Sequence, residues 1–355
     1  MTNPRWVPLF NPFFGIQPDY RGQVASDFVA AMESFVKDWG HRLSYLLRSA
    51  IHGLLHLPRI SLLDVADALS PKSPQGELLR KQVLQHIEDP QLLRFWQSGL
   101  GKFTNEALGV PQNKLSMILS TPPVSYTFQQ TESPLNLRQV MDRQEVLLIN
   151  LANVGSGTQS IIGCLILSLF EMQAMARAQT IQADRKRFFI HVDEAAQFVT
   201  RALQSMLVQS RKFQVGLTLA HQYLNQFYED QVDALSTVGN TVIFRTNRKD
   251  AEHLCKDLQE KARPDDIIGL KKYQAVARVG TEVVRFQARP PRPALSPSFK
   301  DQIIARSRQL YYKPVDEVRQ AIARRHERWI PSARPASAST STAAPNSPPP
   351  YDTYP

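Results

Sequence analysis

Four short runs of apolar residues with β-type composition limit what this chain can become. They are V-L-L-I-N-L at 146–151, F-F-I-H-V-D at 188–193, V-G-L-T-L-A at 215–220 and T-V-I-F-R at 241–245, with a helical segment between each and the next. A strand that is apolar on both faces is buried on both, and strands alternating with helices are joined by crossovers. The expected arrangement is therefore a parallel sheet with helices on either side, a doubly wound α/β fold. The helix after the first run, 159–177, is long and apolar. Two further runs, 274–279 and 282–287, flank Gly280 and read as an antiparallel hairpin at the sheet edge.

Ahead of these runs the pattern is helical. Val24, Phe28, Ala31, Phe35, Leu43, Leu46, Leu47, Ile51 and Leu54 recur at helical spacing with a break near Trp39-Gly40, which predicts two consecutive helices. Stretches 61–69, 75–86, 90–104 and 108–119 read as further helices, so this block is wholly α. Beyond the prolines of P-P-R-P-A-L-S-P (290–297), residues 299–328 form a basic amphipathic helix interrupted near Pro314. The tail is Ala, Ser, Thr and Pro, too poor in apolar surface to offset its chain entropy, and is expected to be disordered. Its P-P-P-Y (348–351) matches the minimal ligand of WW domains, a match that also occurs by chance in such tails. The segments are thus 1–57 (helical), 58–133 (all-α), 134–290 (α/β core), 291–330 (basic helix) and 331–355 (tail).

Composition narrows the function classes. A chain of 355 residues, 43% hydrophobic, can bury a sizeable core. Its net charge of +10 suits a polyanionic partner, although an ordinary basic surface gives the same total. Two cysteines, Cys164 and Cys255, can build neither a disulfide framework nor a thiolate metal cluster. The longest apolar run, around 161–170, is shorter than the roughly 20 residues that span a bilayer. His52 and His56 share a helix face but no third ligand accompanies them, which favours an ordinary surface or core pair over a zinc site.

The chemistry concentrates at the second apolar run, whose end presents Asp193 and Glu194 side by side. Ligands of open parallel sheets bind outside the carboxyl ends of the strands. There an aspartate can hold a nucleotide-bound Mg²⁺ through water and a glutamate can orient the attacking water, the Walker B arrangement. The next run ends at His221-Gln222, which puts the Gln222 amide at the same edge, within reach of a γ-phosphate. Between the two lies Q-S-R-K-F (209–213), with Arg211 at a helix end, where a guanidinium could serve a neighbouring subunit's nucleotide. Taken singly, a strand ending in a polar turn and cations at a helix C-terminus account for these residues equally well.

The order of these features resembles one family. The acidic strand end, the helix ending R-K-F, the strand ending H-Q and then G-N-T-V-I-F-R-T-N-R-K-D-A-E-H-L (239–254) are similar to the coupling ATPases of conjugation and type IV secretion, relatives of HerA and FtsK. The matching part is the TraD/TraG carboxy-terminal region, also called the TraM-recognition domain. F-N-P-F (10–13), W-G-H-R-L-S-Y-L-L-R (39–48) and the strand and helix from Val146 resemble the same proteins in the same order. The resemblance implies a RecA-like P-loop NTPase sheet, incomplete here, with an all-α insertion at about 61–119 facing substrate or adaptor proteins. It implies a homo-hexamer that hydrolyses ATP with Mg²⁺ and pumps DNA, or protein attached to it, toward a type IV secretion channel. It also implies relaxosome partners and a cytoplasmic position at the inner face of a bacterial membrane. Asp193 becomes the Mg²⁺ ligand through water, Glu194 the water-activating residue and Gln222 the sensor. Arg211 is the interfacial arginine, with Arg245 and Arg248 as competitors.

One departure stands against this. No G-x-x-x-x-G-K-[ST] occurs in these residues, so the backbone nest and lysine that grip phosphates are missing from them. The nearest mimic, N-V-G-S-G-T-Q-S (153–160), lacks the lysine and reads as a strand-to-helix turn around Gly155 and Gly157. The expectation is a truncated or split motor, or a degenerate paralogue that docks DNA or relaxosome proteins without hydrolysing ATP. DNA contacts would be to phosphates and independent of sequence.

Overall fold

The structure, a computed structural model, describes residues 5–33, 39–119, 122–152, 154–198, 201–227, 229–259, 261–293 and 298–329. After a short strand β1 (Trp6–Pro8), the helical spacing of the amino-terminal block folds as α1 (Arg21–Glu33) and α2 (His41–Leu54). Their apolar stripes are fully buried at Phe28, Met32, Leu47 and Ile51. Next come α3 (Leu62–Leu69), α4 (Pro74–His86) and α5 (Pro90–Arg94), each opened by a side-chain cap. Ser61 and Asp64 form a capping box on α3, Ser73 accepts from Gly76 N on α4, and Asp89 from Leu92 N on α5. Helices α6 (Asn105–Leu119), α7 (Pro122–Phe128) and α8 (Leu137–Asp142) complete the α block.

The α/β part begins with α9 (Ser156–Ala176), followed by β2 (Phe188–Val192), α10 (Arg201–Gln209), β3 (Val215–Leu219), α11 (Glu229–Ser236) and β4 (Asn240–Ile243). Helices α12 (Arg248–Asp257) and α13 (Pro264–Ile268) lead to the hairpin β5 (Gln274–Val279) and β6 (Glu282–Gln287), turned by Gly280 at φ 61°. Strands β2 and β3 are parallel, in register from Phe188 opposite Val215 to Val192 opposite Leu219. Helices cover the face that carries Ile190 and Val215, whereas Phe189, 61% exposed, and His191 leave the other face open, so the pair is not enclosed on both sides as the apolar runs predict.

Two expectations about the strands need correction. The run 146–151 forms no strand; it is unpaired, with Val146 86% and Leu148 73% exposed. Apolar composition favours a strand, but a strand exists only as part of a ladder, and no described segment pairs with this one. The fourth run, as β4, pairs antiparallel with β5 rather than with β3, giving a three-stranded antiparallel sheet β4-β5-β6. That sheet has its own small core of Ile243, Ala251, Cys255, Leu258, Ile267 and Val276, separate from the main one.

The chain then returns to its start. Helix α14 (Lys300–Tyr311), strand β7 (Tyr312–Pro314) and helix α15 (Val315–Trp329) break at Pro314 as expected, but β7 pairs antiparallel with β1. On α15, Arg325 reaches the α3 cap and bonds Asp64 Oδ2 at 2.7 Å. The basic carboxy-terminal helix is thus docked on the α block. The tail and its P-P-P-Y lie outside the described residues.

Helix α9 is the spine of the molecule. Counted over Gly157–Gln179 it is long and apolar enough to cross a membrane, more than its uninterrupted run suggested, yet 72% of its apolar window is buried inside the fold. Just past its end lies Arg177, whose side chain is 0% exposed. Arg177 Nη1 donates to Lys186 O (2.9 Å) and Phe213 O (3.3 Å), and Nη2 to Asp142 Oδ1 (2.9 Å). The two carbonyls lie immediately before β2 and β3, so one guanidinium aligns the starts of both strands. Glu171 on α9 and Asp27 on α1 form a second polar feature in the helical layers. Burial and the neighbouring Glu171 push the Asp27 carboxyl up to about 7. Burial also raises Glu171, partly offset by a hydrogen bond from Ser205.

Replacing Arg177 by methionine removes the donor of Phe213 O and Lys186 O and leaves Asp142 with Arg138 alone, and is expected to lower unfolding free energy by about 3 kcal/mol in denaturant titrations. Asp27, with its folded pKa above the unfolded one, favours the native state when protonated. Stability therefore falls as pH rises from about 4 through about 7. Asp27→Asn should be more stable than wild type at pH 8, by roughly 1–2 kcal/mol, and the difference should vanish below pH 4.

Candidate active site

Because β2 and β3 start level, they also end level. The ladder runs one step past both strands, with Ala220 N donating to Val192 O (2.9 Å) and Ala195 N to Ala220 O (2.8 Å). The Asp193-Glu194 turn therefore lies beside His221-Gln222, all four exposed at the carboxyl edge of the sheet. Glu194 has φ 51°, a left-handed backbone unusual for this residue type and of the kind that gathers at functional turns. The pair is held from its own segment. Asp193 Oδ1 accepts from Glu194 N (3.0 Å), and Gln197 Nε2 donates to Glu194 Oε2. The turn is anchored by Ala195 and Phe198, both buried. Phe198 packs so closely on α9 that a Cβ at Gly163 would sit 2.3 Å from its ring.

The loop after β3 is fixed by a residue that sequence reasoning missed. Asp250, 4% exposed near the start of α12, accepts from Leu224 N (3.1 Å) and Asn247 Nδ2 (2.9 Å) through Oδ2. Asn247 in turn caps α12 by accepting from Asp250 N (2.9 Å). The segments that follow β2, β3 and β4 are therefore linked at one end of the molecule. The signal was present in N-R-K-D (247–250), a capping-box spacing. Gln197, three residues after Glu194, was the other missed residue.

Neither Asp193 nor Glu194 forms an ion pair among the described residues, so two adjacent carboxylates face solvent uncompensated. Oxygen donors of this kind suit a hard cation that keeps waters and phosphate oxygens as its other ligands. Among the described residues no group of three His, Cys, Asp or Glu could hold a metal unaided. The His52 and His56 rings stand 5.6 Å apart, and the Arg21 guanidinium lies 3.3 Å from His56 Nδ1, a cation where a metal site would need a third ligand. Gly155, at φ 81°, opens α9 as a strand-free turn into the helix, and Asn153 lies outside the described residues.

The arginines separate. Arg211 lies in the turn before β3, at the base of the sheet, where Phe188 N donates to Gln214 O (3.0 Å). It is exposed, without an ion pair among the described residues, and at the opposite end from the carboxylates. Arg245 follows β4 and is likewise exposed, whereas Arg248 is paired with Asp265 at 2.8 Å.

No family model and no curated protein matches the sequence. Solved structures do match the fold. The plasmid coupling protein TrwB in complex with ADP and Mg²⁺ superposes with a TM-score of 0.60 at 12% identity, over 82% of this chain and 73% of that one. This chain has the fold of the TrwB-type coupling proteins. TrwB with a non-hydrolysable ATP analogue gives a TM-score of 0.57 at 13% identity, again over 82% and 73% of the two chains. VirB4 of Thermoanaerobacter pseudethanolicus gives 0.52 at 14% identity, over 79% and 73%. The likeness to TrwB runs over most of the chain, and it bears out the P-loop NTPase fold class expected from the sequence.

Removing the acceptor at Asp250 should free the loop that carries Gln222. Asp250→Ala is expected to cost about 2 kcal/mol of stability. It should also speed hydrogen exchange of the Leu224 amide well beyond that of amides in β2, and unchanged Leu224 protection would show that the loop is held by something else.

Proposed function

We propose that this chain is part of a hexameric, DNA-translocating motor ATPase that couples DNA or nucleoprotein to a type IV secretion or conjugation channel. The observation that carries the reading is the Asp193-Glu194 pair at the carboxyl end of β2 with Gln222 abreast of it, in a chain with the TrwB fold. In this reading Asp193 would hold the Mg²⁺ of a bound nucleotide, Glu194 would orient the attacking water and take its proton, and Gln222 would lie within reach of the γ-phosphate. Mg²⁺ would neutralise phosphate charge as the terminal phosphoryl group leaves. Gln197, already bonded to Glu194, keeps that carboxylate aimed. TrwB has been seen with ADP and Mg²⁺, with an ATP analogue and with a GTP analogue, which supports a purine nucleotide and Mg²⁺ as the ligand.

Arg211 is too far from its own chain's carboxylates to act on them and is assigned to a neighbouring copy's nucleotide. Arg248 is engaged by Asp265 in an exposed ion pair, whereas Arg211 and Arg245 have none among the described residues. The all-α region 58–133 faces substrate, relaxosome or adaptor proteins, and the assembly works at the inner face of the membrane. The net charge of +10 fits sequence-independent contacts to DNA phosphates. A second reading is favoured by one observation: these 355 residues contain no phosphate-gripping G-x-x-x-x-G-K-[ST]. The chain would then dock DNA or relaxosome proteins without turnover.

The test is Mg²⁺-dependent ATP hydrolysis by wild type and Glu194→Gln, with and without single-stranded and duplex DNA. The motor reading expects DNA-stimulated turnover that falls at least about a hundredfold in the variant. Absence of turnover together with salt-sensitive DNA binding would favour the docking module.

A further inference from the structure

Away from the carboxylate pair, a cavity of about 620 Å³ opens between α15, α4 and the loop that joins α2 to α3. That is the size range of small-molecule sites. Its apolar wall is Pro58 and Ala321, both exposed, to which Leu57, Ile60 and Leu79 add only narrow edges, being 7%, 3% and 2% exposed. Its polar groups are cationic or neutral: Arg59, Arg324, Arg325, Gln82 and Thr131. No carboxylate lines it.

The charge balance can be followed residue by residue. Asp64, behind the wall and 1% exposed, accepts at Oδ2 from Ser61 N (2.6 Å), Ser61 Oγ (2.8 Å) and Arg325 Nη2 (2.7 Å). Arg325 is therefore neutralised and structural. It also donates to Arg59 O (3.2 Å), which holds Arg59 at φ 58°, a left-handed conformation costly for a side chain of this kind. Arg59 itself meets only Glu132, at 3.7 Å and with both side chains more than half exposed, a contact of little strength. Arg324 donates Nε to Gln320 O in its own helix (3.3 Å) and has no ion pair among the described residues. Two guanidinium groups thus flank an apolar wall, Arg324 without an ion pair among the described residues and Arg59 held only by the weak, exposed contact with Glu132.

We propose that this cavity is a binding site for a small amphiphilic anion, whose phosphate or carboxylate head is gripped by Arg59 and Arg324 and whose apolar body lies on Pro58 and Ala321. Guanidinium forks match both heads bidentately. Such a ligand bridges the carboxy-terminal helix to the α block and adds to the hold that Arg325 provides. The site is remote from Asp193 and Glu194 and does not depend on the motor reading.

The experiment is calorimetric titration of the full chain with 1-naphthyl phosphate, 1-naphthoate, inorganic phosphate and neutral 1-naphthol. Saturable one-to-one binding of naphthyl phosphate or naphthoate is expected, about tenfold tighter than inorganic phosphate or naphthol, and whichever head binds better identifies the anion. Arg324→Gln and Arg59→Gln should each weaken it about tenfold while melting as wild type, and Glu194→Gln should leave it unchanged. The proposal is overturned if no probe saturates, if naphthyl phosphate binds no better than phosphate, if the arginine variants bind as wild type, or if Glu194→Gln abolishes binding.

Discussion

A single buried guanidinium sets the geometry on which the candidate site depends. An arginine with no exposed surface is expensive to bury, and burial accordingly lowers the Arg177 pKa. It is tolerated because the planar fork meets Asp142 and two carbonyls at once, Lys186 O before β2 and Phe213 O before β3. Fixing those two points fixes the register of Phe188 opposite Val215. In a parallel pair each later residue then follows without further choice, so Val192 reaches the edge with Leu219. The carboxylates and Gln222 are abreast because an arginine at the other end of the strands holds the starts level.

Helix α9 connects these two ends. Its carboxyl end delivers Arg177 to the base, and Gly163 near its start accommodates the Phe198 ring beneath the acidic turn. Such a helix must be apolar nearly all round, since α1, α10 and the sheet close on it. The composition that would suit a membrane span here serves a protein interior. Glu171 and Asp27 are the exception within this layer, and their raised pKa values measure how poorly charge is tolerated there.

What the sequence made legible follows from the range of the interactions concerned. Helices α1 to α4, β2, β3 and the hairpin β5-β6 were readable because periodicity, caps and turn glycines act within a few residues. The segment 146–151 has the composition of a strand but forms none, because composition describes half of a ladder and says nothing of the other half. Strand β4 was placed in the wrong sheet for the same reason, since the hairpin that claims it lies some thirty residues later. The pairing of β1 with β7, three residues each across the whole chain, leaves no local mark at all. At the site, Asp193, Glu194 and Gln222 were found because they follow strands. Asp250 was not, because its role is to hold Leu224 from a different element. Likewise nothing near Arg248 announces Asp265, which pairs with it from 17 residues away.

The register that gathers the carboxylates also separates them from Arg211. Strand β3 has five residues, which at about 3.3 Å each is roughly 17 Å between the turn that holds Arg211 and the edge that holds Gln222. That distance exceeds the reach of an arginine side chain. Within one chain, then, the anionic edge and this cationic turn cannot neutralise each other, and each is left facing outward. Surfaces of opposite charge at opposite ends of one subunit can meet only between copies, either antiparallel about a two-fold axis or head to tail, and the head-to-tail contact is the kind that closes into rings. In the proposed motor that contact would bring Arg211 to a neighbour's nucleotide. For an isolated chain, the same arginine has only solvent.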